Sequence, residues 1–347
     1  MRRTTLAVAI VLAVGVSALH WATRLGEGGS VERILVHGRS LEGNLAGDSA
    51  DRPISVYLPP SYATAQTRRY PVLYLLHGFT DDDNRWFGRL KHFIDVPAAM
   101  NRSAARPGSH ELIVVMPNAY TRFQGSMYSR SVTTGDWETF VANELVAFVD
   151  ARYRTLPTAA SRGIAGHSMG GYGALRFAMK YPTIFSAAYA LSPCCILPPG
   201  DSERTALAAR AEAVHTFEEF ERADFATKLQ LAGSAAWSPN AKRPPLFLDL
   251  LTINGETQTS VAAKWAANAL PAIAEASVDG LRQLKGIAFD VGDQDAGIAE
   301  TLGALDRKLK TLGIPHTFET YEGDHVSRIG ERFETRVLPF FWAHLAI

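Results

Sequence analysis

Cysteine is nearly missing from this chain of 347 residues: Cys194 and Cys195 are the only two, and they are adjacent. Neighbouring cysteines can join only in a strained vicinal disulfide, which excludes a disulfide framework. The pair reads as two small buried side chains after a strand. An excess of one charge is missing as well, since 35 Lys and Arg face 35 Asp and Glu. That removes the basic field a nucleic-acid binder needs and the acidic field that would hold a basic partner. Repeats and low-complexity tracts are absent, which excludes solenoids and disordered arrays. No histidines and cysteines cluster at ligand spacing, so neither a metal nor a cofactor is expected.

A long apolar run is lacking too. A membrane span needs about 20 such residues, and the run from Leu6 to Leu19 is shorter than that. It follows Arg2 and Arg3 and carries Val16-Ser17-Ala18 near its end, the layout of a secretory signal. Residues 1–22 are therefore expected to be a signal peptide or, uncleaved, an N-terminal membrane anchor. Residues 23–30 (TRLGEGGS) read as a linker. The expected location is secreted or periplasmic, with membrane contact only through an uncleaved leader.

What is present is the profile of a large globular core, 47% hydrophobic and 20% charged. Apolar, β-branched or aromatic runs lie at 31–37, 53–58, 70–76, 112–116, 162–166, 185–191, 286–291 and 316–321. Helical patterns fall between many of them, notably at 137–151, 170–180, 299–312 and 328–345. Strands alternating with helices predict a mostly parallel sheet flanked by helices. The early pair 31–37 and 53–58 reads as an antiparallel edge. One α/β domain is expected over 31–347, with a variable, cap-like insertion at 196–285 before the penultimate strand. Within it, 202–230 reads as a charged amphipathic helix and PPLFLDLL (244–251) as a possible added strand.

The chemistry concentrates in RGIAGHSMGGYGALRFAMKYP (162–182). Gly166-His167-Ser168-Met169-Gly170 fits the Gly-x-Ser-x-Gly nucleophile elbow, and it stands where a strand must turn sharply into a helix. The turn forces the serine into strained backbone, so its neighbours two before and two after must lack bulk. This marks Ser168 as a nucleophile and the domain as an α/β-hydrolase fold. A serine hydroxyl needs a base and an orienting acid, in chain order Ser, Asp or Glu, His. His325, in YEGDHVSRIGERF between the last strand and the last helix, is placed for the base. His20 lies in the leader, His316 opens a strand and His344 ends a helix. The remaining histidines precede any suitable acid or lie far from a strand end. The acid should follow GIAFDVG (286–292), where Asp290, Asp293 and Asp295 crowd. Asp290 falls within the strand and reads as structural, while Asp293 and Asp295 both remain open by position. Oxyanion donors are expected at the backbone amides of Met169 and of Phe79, in the loop after His77-Gly78. His77 reads as structural, and Asp81, Asp82 and Asp83 as a solvated turn before Trp86.

LYLLHGF, TTGDWETFVANEL and GHSMGGYGALRFAMKYPTIFSAAYALSP together resemble the esterase D family of α/β-hydrolases. That family includes feruloyl esterases, S-formylglutathione hydrolases and the antigen 85 mycolyltransferases. The resemblance spans about residues 50–345 and is dense over 110–195. It implies a serine esterase acting on small-molecule or carbohydrate-linked esters, with Ser168 as nucleophile, His325 as base, and Phe79 and Met169 as oxyanion donors. The family's Gly-x-x-Asp matches Gly292-Asp293-Gln294-Asp295, which implies Asp295 as the acid. Val326 and Ser327 stand where many members carry an aromatic. Three other functions stay in view: acyl transfer to a carbohydrate hydroxyl, a serine peptidase, and a non-catalytic envelope binding protein. The DWETF likeness favours the first, the lack of an accompanying propeller-sized domain counts against the second, and the complete serine, acid and histidine set counts against the third.

Overall fold

The computed structural model describes residues 21–24 and 28–347. The apolar leader expected at the N-terminus therefore lies outside the described residues, apart from Trp21 and Ala22. All eight strands expected from the sequence form, and a ninth precedes them. In chain order they are β1 (Trp21–Arg24), β2 (Ser30–His37), β3 (Asp51–Leu58), β4 (Val72–Leu76), β5 (Ile113–Pro117), β6 (Arg162–His167), β7 (Ala187–Leu191), β8 (Gly286–Gly292) and β9 (Thr317–Tyr321). They make one sheet in the order β1-β2-β3-β5-β4-β6-β7-β8-β9. From β5 onward the pairing is parallel, while β1, β2, β3 and β5 pair antiparallel in turn. Thr23 and Arg24, read as linker, thus belong to an edge strand, and Gly29 donates its amide to Asn101 Oδ1 at 2.9 Å. Both Thr23-Arg24 and Gly29 thus have hydrogen-bond partners, which the glycine-rich composition of the segment conceals.

Every residue of β4, β5, β6 and β7 is buried. That is the expected state of parallel strands covered on both faces. The pleat sorts β4 cleanly: Val72, Tyr74 and Leu76 join the core on one face, Leu73 and Leu75 the core on the other. The first core is filled by Trp137, Phe140, Tyr172, Phe177 and Phe185, the second by Trp86, Met100, Ile329, Phe333 and Phe341. Each such side chain contributes about 1.5–3 kcal/mol on burial. The expected helix at 170–180 forms as Met169–Lys180, and the one at 299–312 begins three residues earlier, as Ala296–Thr311. The stretch from Trp137 to Arg152 is helical with a π-turn over Phe140–Leu145, and a second π-turn, Phe333–Val337, interrupts the C-terminal helix.

Two expectations for the insertion are corrected. The helix read over 202–230 is three helices, Asp201–Glu212, Phe217–Arg222 and Phe225–Trp237. A capping box starts the second, with the Thr216 hydroxyl on the Glu219 amide and the Glu219 carboxylate on the Thr216 amide. The Asp224 carboxylate caps the third. No strand forms over 244–251, where two consecutive prolines remove ladder donors and the chain turns instead. The insertion is fastened to the core rather than hung beside it. Ser131 Oγ donates to Ala235 O (2.6 Å), Trp237 Nε1 to Ser129 Oγ (3.0 Å) and Tyr172 OH to Asn268 O (2.8 Å).

The acidic triplet is also corrected. Asp83 is fully buried and accepts from Arg33, Ser55 and Asn118, while Asp81 accepts from Trp86 Nε1 at 2.6 Å and pairs with His92 at 3.1 Å. Only Asp82 does what a turn residue does, capping a short helix through the Arg85 amide. The bond to Arg33 joins residues 50 apart in the chain, so nothing local announces it.

Candidate active site

The elbow is built by crowding. Ser168 sits between β6 and the helix Met169–Lys180 with φ 55° and ψ −118°, a region that costs a side-chain-bearing residue about 1–3 kcal/mol. Three backbone hydrogen bonds hold it there: its amide to Leu191 O (3.0 Å), and its carbonyl to the amides of Tyr172 (3.0 Å) and Cys194 (3.1 Å). Gly166 and Gly170 lie so close that a methyl on Gly166 would stand 2.3 Å from the Gly170 carbonyl, and one on Gly170 2.0 Å from Leu76 O. Close approach, rather than an unusual φ, is what demands glycine at both positions.

His325 lies in the loop between β9 and the C-terminal helix. Its Nδ1 is 2.6 Å from Asp295 Oδ2. A carboxylate oxygen accepts, so Nδ1 carries the proton and Nε2 is left as the basic nitrogen. Asp295 terminates the β8 loop at the start of Ala296–Thr311. Asp293 points elsewhere, accepting the Gly323 amide at 3.1 Å and tying the β8 loop to the β9 loop. Asp290 is buried within β8 and accepts from Tyr189 OH and Arg332 Nε at 2.8 Å each. Asp293 and Asp295, both left open by spacing, are thereby separated by their partners, and Asp290 is bonded within the core. The Ser168 hydroxyl has no hydrogen-bond partner among the described residues, His325 included.

The loop after β4 carries Phe79. Neither the Phe79 amide nor the Met169 amide, at the helix N-terminus, has an acceptor among the described residues. Their side chains meet across Gly125, where a methyl would lie 2.7 Å from both Met169 Sδ and Phe79 Cδ2. His77 shapes this loop from beneath. It is fully buried, its Nε2 accepts the Ala119 amide (2.8 Å), and its Nδ1 faces the Gly78 carbonyl (2.9 Å). Burial pushes its pKa down, which keeps the ring neutral and its tautomer fixed.

The insertion adds one wall. Phe225, the first residue of the helix Phe225–Trp237, is 60% exposed and meets Phe79 edge to face at 5.5 Å. Gln124 Nε2 reaches Glu221 Oε2 at 3.0 Å beside it. Val326, where an aromatic was noted as missing, is also exposed. Cys194 is buried and Cys195 half-buried, both as free thiols. A separate cavity of about 360 Å³ is lined by Phe93, Asp95, Arg102, Arg106 and Glu334 among others. Its two arginines are already paired with Glu334, and none of Ser168, His325 and Asp295 lines it.

A mostly parallel sheet flanked by helices, with a serine on a strained strand-to-helix turn and a carboxylate-bound histidine beyond the last strand, defines an α/β-hydrolase. The Esterase family model matches residues 49–330, and the chain belongs to that family. The family's description is that of a putative esterase. Among curated relatives, Esterase Rv1288 of Mycobacterium tuberculosis (strain ATCC 25618 / H37Rv) is 37% identical over 137 residues, covering 39% of this chain and 27% of the relative. The chain thus matches only about a quarter of that relative's length. Among solved structures, a ferulic acid esterase superposes with a TM-score of 0.66 at 21% identity, covering 92% of this chain and 99% of the other. An S-formylglutathione hydrolase from Agrobacterium tumefaciens gives 0.60 at 17% identity, covering 95% and 99%. The serine hydrolase FphF of Staphylococcus aureus, described as fluorophosphonate-binding, gives 0.59 at 18% identity, covering 90% and 98%.

Proposed function

We propose that the protein is an exported serine esterase using Ser168, His325 and Asp295, with the amides of Phe79 and Met169 as its oxyanion hole. One observation carries the reading: His325 Nδ1 on Asp295 Oδ2 at 2.6 Å, in the loops that close over the end of the sheet bearing Ser168 at φ 55°. His325 Nε2 takes the Ser168 proton as Oγ attacks the ester carbonyl, and the carbonyl electrons move onto oxygen. The unpaired Phe79 and Met169 amides receive that oxyanion, a contribution of a few kcal/mol per donor. Collapse expels the alcohol, which takes its proton from His325, and leaves an acyl-enzyme. Water then repeats the sequence and frees the acid. The missing Ser168–His325 hydrogen bond fits a site whose catalytic contacts tighten when substrate binds.

Acyl transfer to a sugar stays the alternative reading. In the DWETF stretch that suggested it, Glu138 is buried and accepts from Arg176 and Lys180, so this residue serves the core and does not itself favour a sugar acceptor. The reading is tested with aryl esters from acetyl to long acyl, plus feruloyl, run with and without a sugar acceptor, and by fluorophosphonate labelling. Acceptor-dependent turnover, or labelling that does not require Ser168, would overturn it. Export is supported by the basic and apolar layout of residues 2–19. N-terminal sequencing of protein from the envelope or culture fluid tests it, with cytoplasmic protein starting at Met1 as the contrary result.

Phe225 offers a further handle on substrate size. Phe225→Ala removes the aromatic edge over Phe79 without touching the triad, so KM for bulky or aromatic acyl esters is expected to rise about 3- to 30-fold. This is the scale of losing about 1–2 kcal/mol of apolar and ring contact. The kcat for an acetyl ester is expected to stay within about twofold of the parent. Equal losses on both substrates would remove Phe225 from the acyl wall.

A further inference from the structure

The residue between the first elbow glycine and the nucleophile has a partner far along the chain. His167 Nε2 lies 2.8 Å from the backbone carbonyl of His325, 158 residues away. A carbonyl only accepts, so Nε2 carries the proton and donates. The two imidazoles are also in contact, tilted at 47° with ring centroids 4.7 Å apart. On its other sides His167 is held by Phe93, edge to face at 5.4 Å, and by Trp86 at 6.2 Å. Its Nδ1 is buried without a hydrogen-bond partner and lies near Gly78, at the root of the oxyanion loop. This is an expensive arrangement for a packing residue, because a buried acceptor is left unsatisfied for the sake of one donor.

Beyond Gly323, whose amide is held by Asp293 and whose carbonyl by the Gln294 amide, the rest of the His325 loop has few such anchors. Asp324 and Ser327 bond within the loop, and both Asp324 and Val326 are exposed. Asp295 fixes the His325 ring by Nδ1, but the main chain that carries the ring is tied to the sheet at His167. We infer that His167 is a positioning residue which, through its Nε2–H, fixes the backbone of His325 relative to the adjacent Ser168; this rests on the serine esterase reading above. Nucleophile and base come from distant stretches of chain, and this bond links the residue beside one to the residue that is the other. Burial, aided by the neighbouring His325, pushes the His167 pKa down to about 3, so the donor tautomer stays neutral through the working range.

The experiment compares His167→Met, which keeps length and apolar bulk but has no donor, with His167→Gln, whose side-chain amide nitrogen can replace Nε2–H. His167→Met is expected to lower kcat about 10- to 100-fold with KM within about threefold, the scale of a catalytic group misplaced by about 1 Å. His167→Gln should recover most of that loss. In a His325→Ala background, His167→Met should change the residual rate by less than about twofold, because the role runs through His325. A merely structural His167 would instead give equal losses for Met and Gln and a further loss in the His325→Ala background, and either result overturns the inference. Should His167→Met fail to fold, ¹⁵N-histidine NMR of the unaltered protein decides: His167 must be neutral with its proton on Nε2 near pH 7, and a proton on Nδ1 refutes the bond. Ester turnover in the parent that does not depend on Ser168 and His325 would overturn the esterase reading and this role together. A parent that passes that check, beside a fully active His167→Met, would overturn the His167 role alone.

Discussion

Ser168→Ala is expected to leave a folded protein whose ester turnover is lower by about 10⁴-fold or more, by analogy with the loss of a triad nucleophile in other hydrolases. Folding should survive because the change removes only an oxygen with no hydrogen-bond partner among the described residues. Alanine and serine both carry a Cβ, so the cost of φ 55° is the same before and after. The three backbone hydrogen bonds at this position do not involve the side chain. Thermal unfolding should therefore stay within a few degrees of the parent while fluorophosphonate labelling disappears. Retained turnover near the parental rate, with contaminating esterase excluded by the labelling, would falsify the elbow assignment.

The second large effect separates two acids two residues apart. Asp295→Asn is expected to lower kcat about 10³- to 10⁴-fold. An amide can present its NH₂ to His325 Nδ1 and so favour the wrong tautomer, placing a proton on the nitrogen that must act as base. Asp293→Asn keeps an oxygen able to accept the Gly323 amide, so its cost should stay below about tenfold. Steady-state kinetics on one aryl ester, with circular dichroism to confirm folding, gives the ranking. The reverse order would mean that the β8 loop carries its acid in a different register.

These two acids show where the sequence was legible and where it was not. The strands could be read because period-2 and wholly apolar runs report burial locally, as in VLYLL and IVVMP. The elbow could be read because its chemistry requires small residues at fixed offsets. Asp293 and Asp295 could not be separated by spacing alone: both lie in the same loop, and their roles are set by Gly323 and His325, some 30 residues further on. The resemblance to esterase D proteins pointed to Asp295, and His325 Nδ1 is hydrogen-bonded to that residue rather than to Asp293. The acidic triplet misled for the same cause, since Asp83, in a short helix, is paired with Arg33 of the distant strand β2. In the insertion the signals were local but outweighed by composition. Thr216-Phe217-Glu218-Glu219 spells a helix start, and Pro244-Pro245 argues against a strand, yet the surrounding charge and apolar runs read as longer elements.

The contacts at Gly166 and Gly170 also bear on how this gene can vary. Each single-base missense change in a glycine codon gives a residue with a Cβ. At these two positions that atom would collide with main-chain carbonyl groups, which cannot swing aside as a side chain can. Both sites are therefore closed to substitution by shape alone, although glycine has no side chain with which to react. Under mutational pressure they would be as invariant as the proposed nucleophile, Ser168. Invariance at this turn would then be a poor guide to chemistry, because it marks the residues that react and the residues that merely make room in the same way.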